Sequence, residues 1–361
     1  MNAAHRLHDA GQSLWLDNIT RELLSSGQLA RYIADAAVTG LTSNPTIFDK
    51  AITGSDDYDV QTHRLASQGL DPEQLFFELA LDDVRQAAAL FMPVWESTGG
   101  VDGWVSLEVS PRLAQDTGAT ITAAKALHQK ADTPNLFIKV PGTREGVPAI
   151  EELIFQGVPV NVTLLFSADQ YIAAGGAYQR GLERRQAAGK DLDVASVASL
   201  FVSRWDKATL EHLPVDLKDL LGIAVARQTY RSYRELLASE RWRSLISAGA
   251  RPQRLLFAST GTKDPAKPDT YYVQALAAPD TINTIPPATL KAFVDHGAFD
   301  EFLPADGGDA DAVIARVQKA GIDVPKLAET LQRDGAAAFV KSWEDLLGSV
   351  ESKTAVLGAG G

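Results

Sequence analysis

The stretch "NLFIKVPGT", residues 135–143, reads as a short apolar strand, Leu136 to Val140, with one lysine set into it at Lys139 and a stop at Pro141 and Gly142. Lysine is rarely fully buried without a partner, because taking an ammonium out of water is costly. The alternative is a lysine stem lying on apolar surface with its amine in water, which suits a helix better than a continuous apolar strand. A strand of this kind fits an architecture in which the ends of several strands meet at a polar centre.

Other runs along the chain have the same character: "SLWLD" (13–17), "GLTSN" (40–44), "WVSLEV" (104–109), "VPVNVTLLF" (158–166), "VASVASLFVS" (194–203), "RLLFAS" (254–259) and "DTINTI" (280–285). Most are apolar throughout, as expected of parallel strands covered on both faces. Helical patterns lie between them. Asp71 before Pro72 marks an N-cap and first helical position, "SADQ" (167–170) fits a capping box, and Gly157 fits a helix stop. Eight strands alternating with helices predict an α/β protein, a single (β/α)8 TIM barrel with extra helices. A plain barrel takes about 250 residues. The surplus falls in residues 49–71, in a helical insertion at about 204–249 and in a C-terminal helical tail at about 307–361, with no linker dividing residues 1–361 into two domains. An open doubly wound sheet is the other architecture. It is disfavoured by the absence of a dinucleotide-binding glycine spacing or a phosphate-binding loop motif.

The bulk numbers narrow the function classes. Of 361 residues 45% are hydrophobic, enough for a large core, and the net charge is −12. Such an acidic chain is a poor general binder of nucleic acid or anionic membrane, although a few basic residues can still form a pocket for a small anion. Cysteine is absent, so disulfides, thiol nucleophiles and cysteine metal sites are excluded. His5 and His8 lack a third ligand, so no metal site is expected, and no cofactor is called for. The interleaved arginines and aromatics of "RQTYRSYRELLASERWR" (227–243) alternate with acids and read as a solvated amphipathic helix. No apolar run reaches membrane length and the start has no apolar signal region, so a cytoplasmic protein is expected, with "LGAGG" (357–361) frayed.

In a barrel the site forms at the C-terminal strand ends. There lie Asp17, Asn44, Glu108, Lys139, Asn161, Thr163, Ser199 and Ser259. Asn161 and Thr163 are two apart and share a face. Taken singly, Asn44, Ser199 and Ser259 read as caps or turn contacts, and Asp17 reads equally as a cap or a base. Jointly, acid, acid and lysine on the first, third and fourth strands have a chemical use. A lysine among apolar groups has its charged form disfavoured, and a neutral amine can attack a ketone to form a Schiff base. The protonated imine draws electrons from the neighbouring carbon–carbon bond. One carboxylate can take the hydroxyl proton that lets the bond break, and the second can move protons as the imine forms and hydrolyses. This is the chemistry of a metal-free aldol enzyme.

The motifs "LWLDN", "GLTSNPTIF", "SLEVSP", "NLFIKVPGT" and "NVTLLFS" resemble, in order, the strand motifs of the transaldolase family, from about Ser13 to about Ala292. The chain is most similar to the longer bacterial form, related to the transaldolase half of fusions with glucose-6-phosphate isomerase. The resemblance implies a (β/α)8 fold, sugar-phosphate substrates and a homodimer. It also implies transfer of a dihydroxyacetone unit from sedoheptulose 7-phosphate to glyceraldehyde 3-phosphate, giving erythrose 4-phosphate and fructose 6-phosphate. By motif, Lys139 would be the Schiff-base lysine and Asp17 the base on the C4 hydroxyl. Glu108 and Thr163 would hold a catalytic water, and Asn44, Asn161 and Ser199 would surround the dihydroxyacetone unit.

For the phosphate, "SLFVSR" resembles the family's sixth-strand segment and matches Ser199, Phe201 and Arg204, with Leu200 and Ser203 in place of its common Pro and Gly. On strand seven, "ASTGTKDP" keeps Ser259 but has Thr262 and Lys263 where the shorter bacterial enzymes carry an arginine. The substitute is either a nest of backbone N–H groups around Gly261 with Lys263 as a point charge, or an ordinary exposed turn. Two other functions fit these residues: an aldolase of the same chemistry acting on fructose 6-phosphate or free dihydroxyacetone, and a non-catalytic sugar-phosphate-binding barrel.

Overall fold

The computed structural model describes residues 2–359, with side chains through Val356; the expected fraying of residues 357–361 lies outside the described side chains. Eight parallel strands close on themselves in sequence order. They are β1 (Gln12–Asp17), β2 (Val38–Thr42), β3 (Trp104–Glu108), β4 (Leu136–Pro141), β5 (Val160–Leu165), β6 (Ser196–Phe201), β7 (Gln253–Ala258) and β8 (Thr281–Ile285), with β8 paired back onto β1. This is the (β/α)8 barrel with extra helices that the alternating pattern predicts. Among the described residues no helix is long and apolar enough to cross a membrane.

Each uniformly apolar strand serves two cores, which is why its sequence does not alternate. In β4, Leu136, Ile138 and Val140 pack outward among the helices, while Phe137 joins the barrel interior and Lys139 shares its face. In β3, Val105 and Leu107 face out and Trp104 faces in. Trp15, Trp104 and Phe137 stack as an aromatic plug beneath the strand ends, with Trp104 and Phe137 4.1 Å apart. Gly40 makes room for it: a Cβ there would lie 2.6 Å from the Trp15 indole.

The helix-end motifs behave as their chemistry dictates, with one variation. Asp71 and Gln74 form a full capping box, and Gly157 ends its helix at φ +86°. Ser167 accepts from Gln170 N, but the Gln170 side chain accepts from Phe166 N, one residue before the cap. Two strands are displaced from their expected ranges. β2 begins at Val38 and stops at Thr42, so Ser43 and Asn44 leave the sheet. β6 stops at Phe201, because Ser203 already opens the helix Ser203–Thr209.

The surplus residues wrap the site. The helices Pro45–Gly54 and Asp59–Ala66 are clasped to the barrel through Asp83, which is buried, accepts from Tyr58 at 2.8 Å and pairs with Arg21 at 3.0 Å. The C-terminal helix, Val324–Ala359, lies across the strand ends. Gln332 donates to the carbonyls of Gly142 and Leu164, Thr46 bonds Ser342 at 2.9 Å, and Lys353 pairs with Asp59 at 2.6 Å. The arginine-rich stretch 227–243 is neutralised by acids, with Arg231 on Asp311, Arg234 on Asp280 and Arg241 on Glu183.

Candidate active site

A cavity of about 370 Å³ opens at the C-terminal end of the barrel. Its wall includes Asp17, Asn44, Lys139, Thr163, Ser199, Phe201, Arg204, Ser259 and Lys263. A hollow of about 490 Å³ at the opposite end is lined by Trp104, Phe137 and Arg254. There Asp102, Arg254 and Ser13 are hydrogen-bonded to one another, so those groups are already satisfied.

Lys139 is buried. Its Nζ donates to the Ser43 carbonyl at 3.0 Å and lies 3.3 Å from Glu108 Oε2. The expectation of an amine among apolar groups is corrected here: its near neighbours are a carboxylate and a carbonyl. Register explains this, since Glu108 and Lys139 are direct partners across β3 and β4, on the same inward face. Ser43 Oγ donates to the Ser106 carbonyl, which anchors the chain segment that carries the accepting carbonyl.

Both carboxyls are pushed above their ordinary range by burial, and the Lys139 charge opposes that shift in each case. At Asp17 the Thr42 hydroxyl also opposes it, donating at 2.8 Å, and Thr42 lies 2.6 Å from the Thr284 hydroxyl. Glu108 Oε2 is answered by the Lys139 amine, whereas Glu108 Oε1 and the Thr163 hydroxyl are buried without a hydrogen-bond partner. Buried polar atoms are rarely left so, and these two, on β3 and β5, fit a polar guest such as a water molecule or a substrate hydroxyl.

Asn161 is held from both sides, donating to Ser106 Oγ at 3.1 Å and accepting from Ser199 Oγ at 2.7 Å. The phase of β5 changes just beyond. Leu164 adopts φ +61° and the register with β6 shifts, so Asn161, Thr163, Leu164 and Phe166 all turn inward while Val162 and Leu165 face the helices. Asn44 caps the helix Pro45–Gly54 by accepting from Ile47 N, and it lines the cavity as well.

On the β6–β7 side, Arg204 lies over the Phe201 ring, with its guanidinium carbon 5.0 Å from the centroid. Ser259 follows β7 in a left-handed conformation, φ +56°; its Oγ is 2.9 Å from Ser203 Oγ and its carbonyl accepts from Ser203 N. The serine at 203 thus ties the two strand ends together. Lys263 faces the cavity, its pKa lowered by partial desolvation and by the charges of Lys207 and Arg204. Gly261 and Lys263 both line this cavity, and Lys263 is itself exposed. Thr42, Ser43, Ser106 and Thr284 carry no distinguishing signal in the sequence, being small hydroxyl residues within strands or at their ends. Nor does Phe339, which comes from the tail helix. Among the described residues, no group of three or more His, Cys, Asp or Glu side chains is placed to hold a metal ion.

Comparison with known proteins covers nearly the whole chain. The family described as transaldolase/fructose-6-phosphate aldolase matches residues 14–350, so its likeness extends past Ala292 into the tail helix. The transaldolase of Thermobifida fusca (strain YX) is 47% identical over 97% of this chain and 98% of its own length. That of Acidothermus cellulolyticus is 46% identical over 95% of each chain. That of Frankia alni is 44% identical over the full length of both. With that coverage at those identities, the chain belongs to the transaldolase/fructose-6-phosphate aldolase family.

Proposed function

We propose that the protein is a metal-independent, Schiff-base-forming transaldolase. It moves a dihydroxyacetone unit from sedoheptulose 7-phosphate to glyceraldehyde 3-phosphate, in the pentose phosphate route and in the cytoplasm. The observation that carries the mechanism is the buried Lys139 amine, 3.3 Å from Glu108 at the wall of the cavity shared with Asp17. Once the Lys139 ammonium has passed a proton to Glu108, the amine attacks the ketone C2; the carbinolamine loses water and leaves a protonated imine. Asp17 takes the proton of the C4 hydroxyl, the C3–C4 bond breaks, and its electron pair is received by the iminium to give an enamine and the first aldehyde. The enamine then adds to the acceptor aldehyde, Asp17 returns the proton to the new C4 hydroxyl, and water releases the product. Glu108 and Thr163 hold the water that exchanges protons in imine formation and hydrolysis. Their unpartnered oxygens support that role. Asn44, Asn161 and Ser199 bind the dihydroxyacetone hydroxyls, and Phe201, Arg204, Ser259 and Lys263 line the phosphate end.

Borohydride trapping with fructose 6-phosphate, followed by peptide mass analysis, tests this reading. Reduction should fix a three-carbon adduct on Lys139, and a label on a different lysine refutes the assignment. The family description also covers aldolases. Turnover of sedoheptulose 7-phosphate that does not depend on an acceptor would favour that activity. The curated relatives named transaldolase at 44–47% identity favour transfer.

A further inference from the structure

Arg204 lines the cavity and is largely desolvated, and among the described residues no side chain makes a salt bridge or hydrogen bond to it. It is instead clasped by two phenyl rings, Phe201 from β6 at 5.0 Å and Phe339 from the C-terminal helix at 5.6 Å. The helix is shaped to allow this. Gly335, one turn before Phe339, faces Arg204 so closely that a Cβ would lie 3.1 Å from both Arg204 Nη1 and Leu164 Cδ2. The Gln332 bonds to the Gly142 and Leu164 carbonyls fix the axial position of that turn on the barrel.

We propose that Phe339 is a positioning residue for the phosphate end of the substrate. Stacked on the guanidinium, it removes the water that would otherwise solvate that face and leaves the N–H edge free to fork onto a phosphate. Preference for phosphorylated over unphosphorylated sugars is then set jointly by the barrel, which supplies Arg204 and Phe201, and by the tail, which supplies Phe339. The identity of the phosphate as a sugar phosphate rests on the transaldolase reading; the anion site itself does not.

The test compares Phe339→Leu, which keeps most of the volume but no ring, with Phe339→Tyr, which keeps the ring. In Phe339→Leu the ratio of kcat/KM for glyceraldehyde 3-phosphate to that for glyceraldehyde should fall about tenfold, chiefly through KM, as expected for loss of one desolvated cation–π contact. Phe339→Tyr should keep most of the ratio. Calorimetric binding of inorganic phosphate should weaken by a similar factor in Phe339→Leu alone. Equal loss on both acceptors, or unchanged phosphate affinity, overturns the proposal. If the wild type forms no borohydride-trapped adduct, the transfer reading fails, while phosphate affinity in the two variants still decides the role of Phe339.

Discussion

Replacing Lys139 with methionine separates the structural and chemical parts of the site. The variant keeps the volume of the side chain but removes the charge 3.3 Å from Glu108. At an effective dielectric of about 20, two unit charges at that separation attract by about 5 kcal/mol. Both are buried, so part of this only offsets their desolvation, and Glu108 can escape the loss by binding a proton. A net cost of about 3 kcal/mol at neutral pH is the expectation for one partner removed from a buried pair. With about 2.1 cal/mol/K of unfolding entropy per residue over 361 residues, that lowers Tm by about 4 °C.

The dependence on pH is diagnostic. The Glu108 carboxyl is already raised above its ordinary 4.5 by burial, and losing Lys139 removes the main opposing influence. A carboxyl with a raised folded-state pKa contributes its full stabilisation below the unfolded value and loses it as pH rises through the folded value. The Tm gap between Lys139→Met and wild type should therefore be widest at alkaline pH and narrow steadily toward about pH 5. Adding Glu108→Gln should close most of the remaining gap, because pair and partner are then removed together. Scanning calorimetry across that range measures it, and transfer activity should be lost at every pH. A gap that does not change with pH would refute the coupling of Lys139 to Glu108, and retained transfer by the methionine variant would refute covalent catalysis.

Thr42→Val removes the 2.8 Å hydrogen bond that favours ionised Asp17, so the Asp17 pKa, already raised by burial, should climb further. The acid limb of the kcat profile should move to higher pH, while Asp17→Asn should still form the borohydride-trapped adduct but fail to cleave the carbon–carbon bond. Asp206 is pushed up to about 6 by burial, despite accepting from Gly222 N and Tyr272 Oη. Its contribution is full below the ordinary 3.8 and lost through about 6, so Asp206→Asn should remove about 3 kcal/mol of pH dependence from unfolding over that window. Urea titrations at the two ends of that window measure the difference. Gly40→Ala places a methyl 2.6 Å from the Trp15 indole and should destabilise the fold by about 1–3 kcal/mol in the same assay.

The barrel is legible because each strand is a compact apolar run and each intervening helix has its own caps, so local chemistry and global topology agree. Asp17, Glu108 and Lys139 are legible because charge in such runs is costly and must be answered. What answers it is less legible. The Ser43 carbonyl that receives the Lys139 amine is main chain and leaves no trace in residue identity. The run "VNVTLLF" gives no warning that Leu164 will turn left-handed and change the strand's phase, since leucine is not a residue that favours that region. Phe339 lies more than a hundred residues from Arg204 in sequence, and only the path of the tail helix over the mouth brings the two together.

That path also has a consequence for how the molecule is made. The strands that build the catalytic pocket are complete once Ile285 has been added, whereas the helix that covers it begins at Val324 and anchors through Lys353. The tail helix is thus the last element to be synthesised, and Phe339, which it lends to the cavity wall, is made only after every strand of the barrel. A chain cut short after Ile285 would hold Asp17, Glu108, Lys139 and Thr163 but neither Phe339 nor the Gln332 bonds that seat the helix on the barrel.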